Sequence, residues 1–549
     1  MTSPLPSRPR AVTLSQRLIA IALLTTLAAC GGGGDSGNAA APSSGPFTIS
    51  GKAVFEWVPT GRTGLNYAAA TDKPIRGATV QLLDSANVVL ATTTTDDQGD
   101  YSLPLPTSRS VMVRVRAEIK RTSSARGDRD FTVFDNTSGN APYVLDSTAF
   151  TPTTAVTRQN LRAASGWGGT SYTGTRAAGP FSILDVIYTA QAKIETVAPT
   201  VTLPPLKIFW SVSNRAAPGS VSDGNLVTTY FTTEGGPSLY ILGKADVDTD
   251  EYDTHVIAHE FGHFLQNALS RDDSIGGKHF FGDRLDMRLA FSEGWGNAWA
   301  GIALGDPVFS DTQGQNQAMV FSFDVSVAAS GADLGWYSET TAQYLIWKAD
   351  QTADFAATYA AFTSLKTTTA WTSLYSFAAA VKAASPANAA AITSLYASQQ
   401  VVAQDAFGTG ETNNGGVAGT LPVYKTHTAA LGAAQNYCIT ASADRSPSDG
   451  NKLGEFVYVR FPIATAGSHT LTIVKTSPAG TAVTDPDFTL LKADGTRVDA
   501  TSPSNSASPP SLNDTETLTV TLPTGTHTIA LSDAKLASPN TSCFNFTVN

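Results

Sequence analysis

The residue types and spacing best suited to chemistry in this 549-residue chain lie in one stretch, His259-Glu260-Phe261-Gly262-His263. On an α-helix, positions i and i+4 share a face, so both imidazoles can reach one zinc ion. Glu260 stands beside the first imidazole, placed to take a proton from a water next to the metal. Zinc lowers the pKa of such a water and polarises a scissile carbonyl, which makes hydrolysis feasible at neutral pH. The chain has only seven histidines, so a chance pair at this spacing is improbable. The bland alternative is two core histidines in a structural helix. The surroundings suit a buried, functional helix: Thr254 can cap it, Val256, Ile257, Ala258 and Phe264 can form its inner side, and Gly262 leaves room for close packing.

A catalytic zinc site needs three protein ligands and one open position. A further glycine and histidine downstream would supply the third, but Gln266 and Leu269 stand at those positions. A glutamate on a second helix is the other common solution. Glu293, in Phe291-Ser292-Glu293-Gly294-Trp295-Gly296-Asn297, is the natural candidate. His279 is the runner-up, on the Gly-rich stretch IGGKHFFGD, whose composition reads as a loop. The block 249–304 resembles the gluzincins, the thermolysin-like clan of zinc metallopeptidases. That resemblance implies Glu293 as third ligand within a Glu-x-x-x-Asp motif, whose last residue orients a zinc histidine. Here Asn297 occupies that last position. Its amide oxygen can still accept from an imidazole N–H, without a carboxylate's charge. The interval from His259 to Glu293 is longer than in thermolysin, so the resemblance is to the clan.

The same chemistry needs a donor for the developing oxyanion. Tyr337, just before a helical pattern, is the first candidate and Tyr344 the second, with core packing the ordinary role for each. The segment SLYILG (238–243) could be an edge strand that pairs with an extended substrate backbone. His255, one turn before His259, reads as a polar residue at the helix start. Asp246, Asp248 and Asp250 alternate as in a calcium loop. The glycine at the sixth position and the glutamate at the twelfth are absent, so a solvated turn is expected, with bound Ca2+ the lesser alternative.

Around this centre the chain divides by pattern. Residues 46–150 are rich in short β-patterned stretches, such as FTISGKAVFEWV and VMVRVRAEI, and read as an all-β sandwich. The pairing of PIRGATVQLLD with TTTDDQGDYSL resembles the transthyretin-like, carboxypeptidase-regulatory-like domain, which implies an accessory role. Residues 155–410 carry long helical periodicities and few strands, as expected of a mostly helical α+β, zincin-like catalytic domain. After the break GTGETNNGG, residues 411–549 return to short strands and read as a second β-sandwich. The expected architecture is therefore multidomain, with β-sandwiches on either side of the catalytic unit.

Hydrophobic residues make up 42% of the chain, too many for wholesale disorder, and the net charge of −10 argues against nucleic-acid binding. At the N-terminus three arginines precede the apolar run LIAIALLTTLAA (18–29), which is too short to span a bilayer. It ends in Leu27-Ala28-Ala29-Cys30, followed by a Gly/Ser-rich tract (30–45). This resembles a bacterial lipoprotein signal. The resemblance implies cleavage after residue 29, a lipidated Cys30 and a flexible leash. Gly31 after the cysteine points to outer-membrane sorting. The remaining cysteines, Cys438 and Cys543, are expected to pair in an oxidising compartment. Together these readings lead to the expectation of a lipid-anchored zinc metallopeptidase of the cell envelope, an endopeptidase by default, acting on peptide or protein substrates. A surface adhesin or glycan-binding lipoprotein with an inactive peptidase-like unit is the alternative.

Overall fold

The computed structural model describes residues 46–549 except 62, 404, 441–449, 478–485, 501–514, 534–535 and 537–540. The signal segment and Cys30 lie outside the described residues. An N-terminal mixed β region, a central mostly helical segment and a C-terminal β-sandwich follow one another along the chain.

Among the described residues, the N-terminal region has two larger sheets and a short two-stranded ribbon, Thr60–Gly61 with Gly64–Leu65. In one, Phe47–Trp57 pairs with Thr71–Pro74, Asp100–Leu105, Val156–Arg158 and Leu161–Ala163. In the other, Val144–Asp146, Val111–Arg116, Thr79–Asp84 and Val89–Thr94 lie side by side. Strict alternation in VMVRVR buries Val111, Val113 and Val115 between the sheets. The expected boundary near 150 is crossed by backbone ladders. Arg129–Asp135, assigned by pattern to the first sandwich, pairs in parallel with Leu206–Trp210 and so belongs to the central sheet. Val156–Arg158 and Leu161–Ala163 run the other way, into the N-terminal sheet. Alternation identifies a strand, but its partner is chosen by burial of distant faces.

The central sheet continues from Leu206–Trp210 to Ser238–Ile241 and then to the antiparallel Tyr230–Thr232. One face aligns Val133, Ile208, Leu239 and Phe231. Onto this side pack Phe261 and Phe264 of the metal-motif helix, edge-on to Phe131 with ring centroids 5.9 Å apart in both cases. The expected edge strand, 238–241, is therefore interior. The edge is Tyr230–Thr232, formed when the chain turns back antiparallel.

Seven α-helices occur among the described residues. They are α1 (Gly179–Glu195), α2 (Thr254–Leu269), α3 (Met287–Leu304), α4 (Glu339–Ala353), α5 (Phe355–Ser364), α6 (Leu374–Ala384) and α7 (Ala389–Ser398). A β-hairpin, Val308–Gln313 with Met319–Asp324, separates α3 from α4. In α3 every residue except Glu293 and Leu304 is buried, so the helix is central and apolar nearly all round. It starts at Asp286, whose carboxylate accepts from Arg288 N at 3.0 Å, and stops at Gly305 in the left-handed region. No helix of the described residues is long and apolar enough to cross a membrane.

The C-terminal sandwich stacks a five-stranded on a four-stranded sheet over its own core, including Phe461, Ile473, Leu490, Phe544 and Phe546. Cys438 and Cys543 face each other on antiparallel strands and form a disulfide, as expected.

Candidate metal centre

Two glycines set how closely α2 and α3 approach. A Cβ on Gly262 would meet Trp299 Cδ1 at 2.8 Å, and one on Gly296 would sit 2.7 Å from the His259 ring. Close approach brings the polar edge of α2 against Glu293, the one acidic residue of α3. His259 Nε2 lies 3.0 Å from His263 Nε2, and Glu293 Oε2 lies 3.4 Å and 3.6 Å from these two nitrogens.

The spacing fits a tetrahedral ion. Ligands about 2.0–2.1 Å from a common centre are about 3.3–3.4 Å from one another, as these three atoms nearly are. The electrostatics agree. Burial opposes ionisation of Glu293, but His263 and His259 beside it hold its carboxyl well below the ordinary range. Burial likewise opposes charge on His263, yet Glu293 outweighs it and pushes that imidazole up to about 10. Two bases and a carboxylate thus compete to hold positive charge at one point, which suits a cation.

Each histidine is oriented by a separate partner. His259 Nδ1 donates to Asn297 Oδ1 at 2.8 Å, which leaves Nε2 as the ligand atom. Asn297 Nδ2 in turn donates to Glu339 Oε1 at 2.8 Å and Gln343 Oε1 at 2.9 Å, both on α4. A carboxylate, Glu339, thus stands behind His259, linked to it through the Asn297 amide. His263 Nδ1 faces Gln266 Oε1 at 3.3 Å, and Ser292 Oγ is within 3.2 Å of the same oxygen. Gln266 stands where the extended motif would have its glycine. Its i+3 position relative to His263 was the available signal for this role.

Glu260 projects to the edge strand, where its Oε2 accepts from Phe231 N at 2.8 Å. Burial lifts its carboxyl above the ordinary range, against the pull of the two histidines. This is the direction that suits a group which must take up and return a proton.

His279 lies on the loop between α2 and α3. Its Nδ1 donates to Gly277 O at 3.0 Å, while Nε2 points inward, 3.6 Å from Glu293 Oε2 and 3.8 Å from Glu339 Oε2. Burial disfavours charge on His279, but the two glutamates prevail and raise its pKa. The loop is held from the C-terminal sandwich. Asn451 Nδ2 donates to Gly276 O at 3.0 Å and Lys278 O at 3.2 Å, and Lys452 Nζ pairs with Asp283 at 2.9 Å. Tyr458 donates to Asp286, the cap of α3.

Other candidates fall elsewhere. The Tyr337 hydroxyl donates to Leu334 O at 2.9 Å, and its ring packs edge-on to Trp336. Tyr344 is half-buried in α4 against the core. His255 is buried, with Nε2 3.0 Å from Asp306 O, as the bland reading expected. Asp246 is exposed and caps Asn316 N at 2.9 Å.

Residues 216–397 match the peptidase-associated family described as the mycolysin C-terminal domain. The match spans α2, α3 and α4 and hence every residue of the centre, but less than half of the chain. Two solved structures align over short stretches. One is the pre-peptidase C-terminal domain of collagenase from Bacillus anthracis, at 8% identity over 23% of this chain and 94% of that one, with a TM-score of 0.16. The other is the major plantain pollen allergen Pla l 1, at 19% identity over 21% of this chain and 93% of that one, with a TM-score of 0.13. Neither likeness is close enough to carry an argument. No curated protein matches the sequence.

Proposed function

We propose that this chain is a zinc-dependent metallopeptidase, in which His259, His263 and Glu293 hold the ion. The observation that carries the reading is the convergence of these three donor atoms, 3.0–3.6 Å apart, beside the half-buried Glu260 at the edge strand Tyr230–Thr232. A zinc ion there supplies a Lewis acid for the substrate carbonyl and acidifies a water at neutral pH.

The chain's own residues supply the rest. With Phe231 N given to Glu260, the backbone groups of the edge strand Tyr230–Thr232 that stay open can order an extended peptide by main-chain geometry without demanding a sequence. Glu260, fixed by Phe231 N, takes the proton of the attacking water and delivers it to the leaving amine. His279 carries its Nε2 toward the centre, 3.6 Å from Glu293 Oε2, where a ring N–H can donate to a developing oxyanion. Asn297 and Gln266 keep the two imidazoles in the tautomer that presents Nε2.

In this reading the enzyme is an endopeptidase tethered to the bacterial envelope. The Leu-Ala-Ala-Cys box supports lipidation at Cys30, and the Cys438–Cys543 disulfide supports an oxidising compartment.

The reading is tested by Glu260→Gln, assayed on a peptide library with zinc content measured in parallel. Hydrolysis should fall by about 10²–10⁴-fold with zinc retained. Undiminished cleavage would remove Glu260 from its role. Absence of cleavage in the zinc-loaded native protein, across the whole library, would favour the non-catalytic surface protein.

A further inference from the structure

A second cluster of acidic side chains lies at the approach to α2, separate from the histidine centre. Asp248 and Asp250 precede the helix, and Asp311 reaches them from the hairpin strand Val308–Gln313 that follows α3. One carboxylate oxygen of each lies within 4.8 Å of the other two. Asp250 is only 3% exposed. The Oδ1 atoms of Asp248, Asp250 and Asp311 are all buried and accept no hydrogen bond. The other oxygen of Asp250 is occupied, accepting from the Thr229 hydroxyl.

Nothing positive balances these groups, since no lysine, arginine or histidine among the described residues forms an ion pair with any of the three. Asp253 adds a fourth carboxylate nearby. It is already satisfied, accepting from Thr312 N at 3.0 Å and Thr312 Oγ1 at 2.8 Å, and from Thr60 Oγ1 at 3.4 Å. Buried carboxylates that face one another without donors require either protons or a cation.

We propose that Asp248, Asp250 and Asp311 bind a calcium ion that ties the start of the metal-motif helix to the hairpin after α3. The donors are all oxygen, which selects a hard cation over zinc. A spread within 4.8 Å is the span of two ligands on opposite sides of an ion held at about 2.4 Å, the calcium distance. Asp248 also pairs across the backbone with Gln313. The ion therefore sits where two segments already meet and adds a charged link between them. The solvated turn expected of Asp246, Asp248 and Asp250 is corrected here: Asp250 is buried and only Asp246 is exposed, and Asp311, more than sixty residues later, joins the two inner aspartates.

The test uses the full chain, stripped of metal on a chelating resin and reloaded with one equivalent of zinc. Calcium is then titrated calorimetrically, and thermal unfolding is followed with calcium, with magnesium and with neither. One calcium per chain and a rise in Tm of about 5 °C are expected at saturation, with little effect of magnesium. Asp250→Asn and Asp311→Asn should abolish both. In calcium-free buffer these two variants should unfold no lower than the native chain, because each removes one unbalanced charge. Glu293→Gln should keep the calcium isotherm. A native chain that takes up no calcium and unfolds at one temperature throughout would show that shared protons balance the cluster, overturning the proposal. An equal response to magnesium, or an unchanged isotherm in Asp311→Asn, would also overturn it. Zinc content and hydrolysis are independent of these outcomes, so failure here leaves the peptidase reading standing.

Discussion

Among single residues, Asn297 sets the character of this centre. An amide accepts the His259 N–H but contributes no charge, and the nearest carboxylate behind it is Glu339 on α4. Asn297→Ala should lower zinc affinity by about 10–100-fold, measured by competition with a chromophoric chelator, while the fold persists. Asn297→Asp places a carboxylate against the imidazole and should not weaken zinc by comparison. His279→Ala should reduce kcat about 10²-fold or more with zinc content unchanged, as expected of an oxyanion donor. Loss of zinc in that variant would instead make it a ligand.

His259, Glu260 and His263 stand out in the sequence by type and helical spacing, and Glu293 by its place in a second helical run; the structure brings His259, His263 and Glu293 together as a group that could hold a metal ion. Gln266, Glu339 and the inward turn of His279 were not legible as a set. Each acts through a contact made across helices or loops, and no periodicity encodes such a contact. The position of Tyr337 before a helix is a sequence signal for an oxyanion donor, but its hydroxyl donates to Leu334 O.

Elements position these residues through close packing. Gly296 lies under the His259 ring, so Gly296→Ala would press a methyl into the imidazole at 2.7 Å. Zinc affinity and activity should both fall, with helical circular dichroism preserved; unaltered zinc binding would mean the ring can shift freely. The first half of α2 also carries a pH-sensitive group. Burial lowers the pKa of His255, with Asp306 O alone as its hydrogen-bond partner. The folded state therefore resists its protonation, and its contribution to stability is lost as pH falls below about 6.5, the free imidazole value. His255→Gln should flatten the fall of Tm between pH 7 and 5. Helix positions were read well from sequence because 3.6-residue periodicity is local. The central sheet was not, since Arg129–Asp135 and Tyr230–Thr232 are recruited by faces that only the folded chain brings together.

Over the whole molecule, the flanking β regions do more than space the catalytic unit. The N-terminal stretch lends Arg129–Asp135 to the sheet beneath α2, and the C-terminal sandwich holds the His279 loop through Asn451 and Lys452. Activity should therefore depend on the C-terminal sandwich. Asn451→Ala should lower kcat more than it lowers zinc occupancy, by loosening the loop rather than the ligands. The disulfide closes a loop of 105 residues, and Cys438→Ser with Cys543→Ser should cost roughly 2–5 kcal/mol in denaturant unfolding.

The central claim is that His259, His263 and Glu293 form one zinc site. Elemental mass spectrometry of the purified, oxidised protein, with His259→Ala and Glu293→Gln beside it, tests that claim most directly. The account predicts close to one zinc per native chain, lost or sharply reduced in both variants. A folded native chain that holds no zinc even after incubation with it would contradict the account.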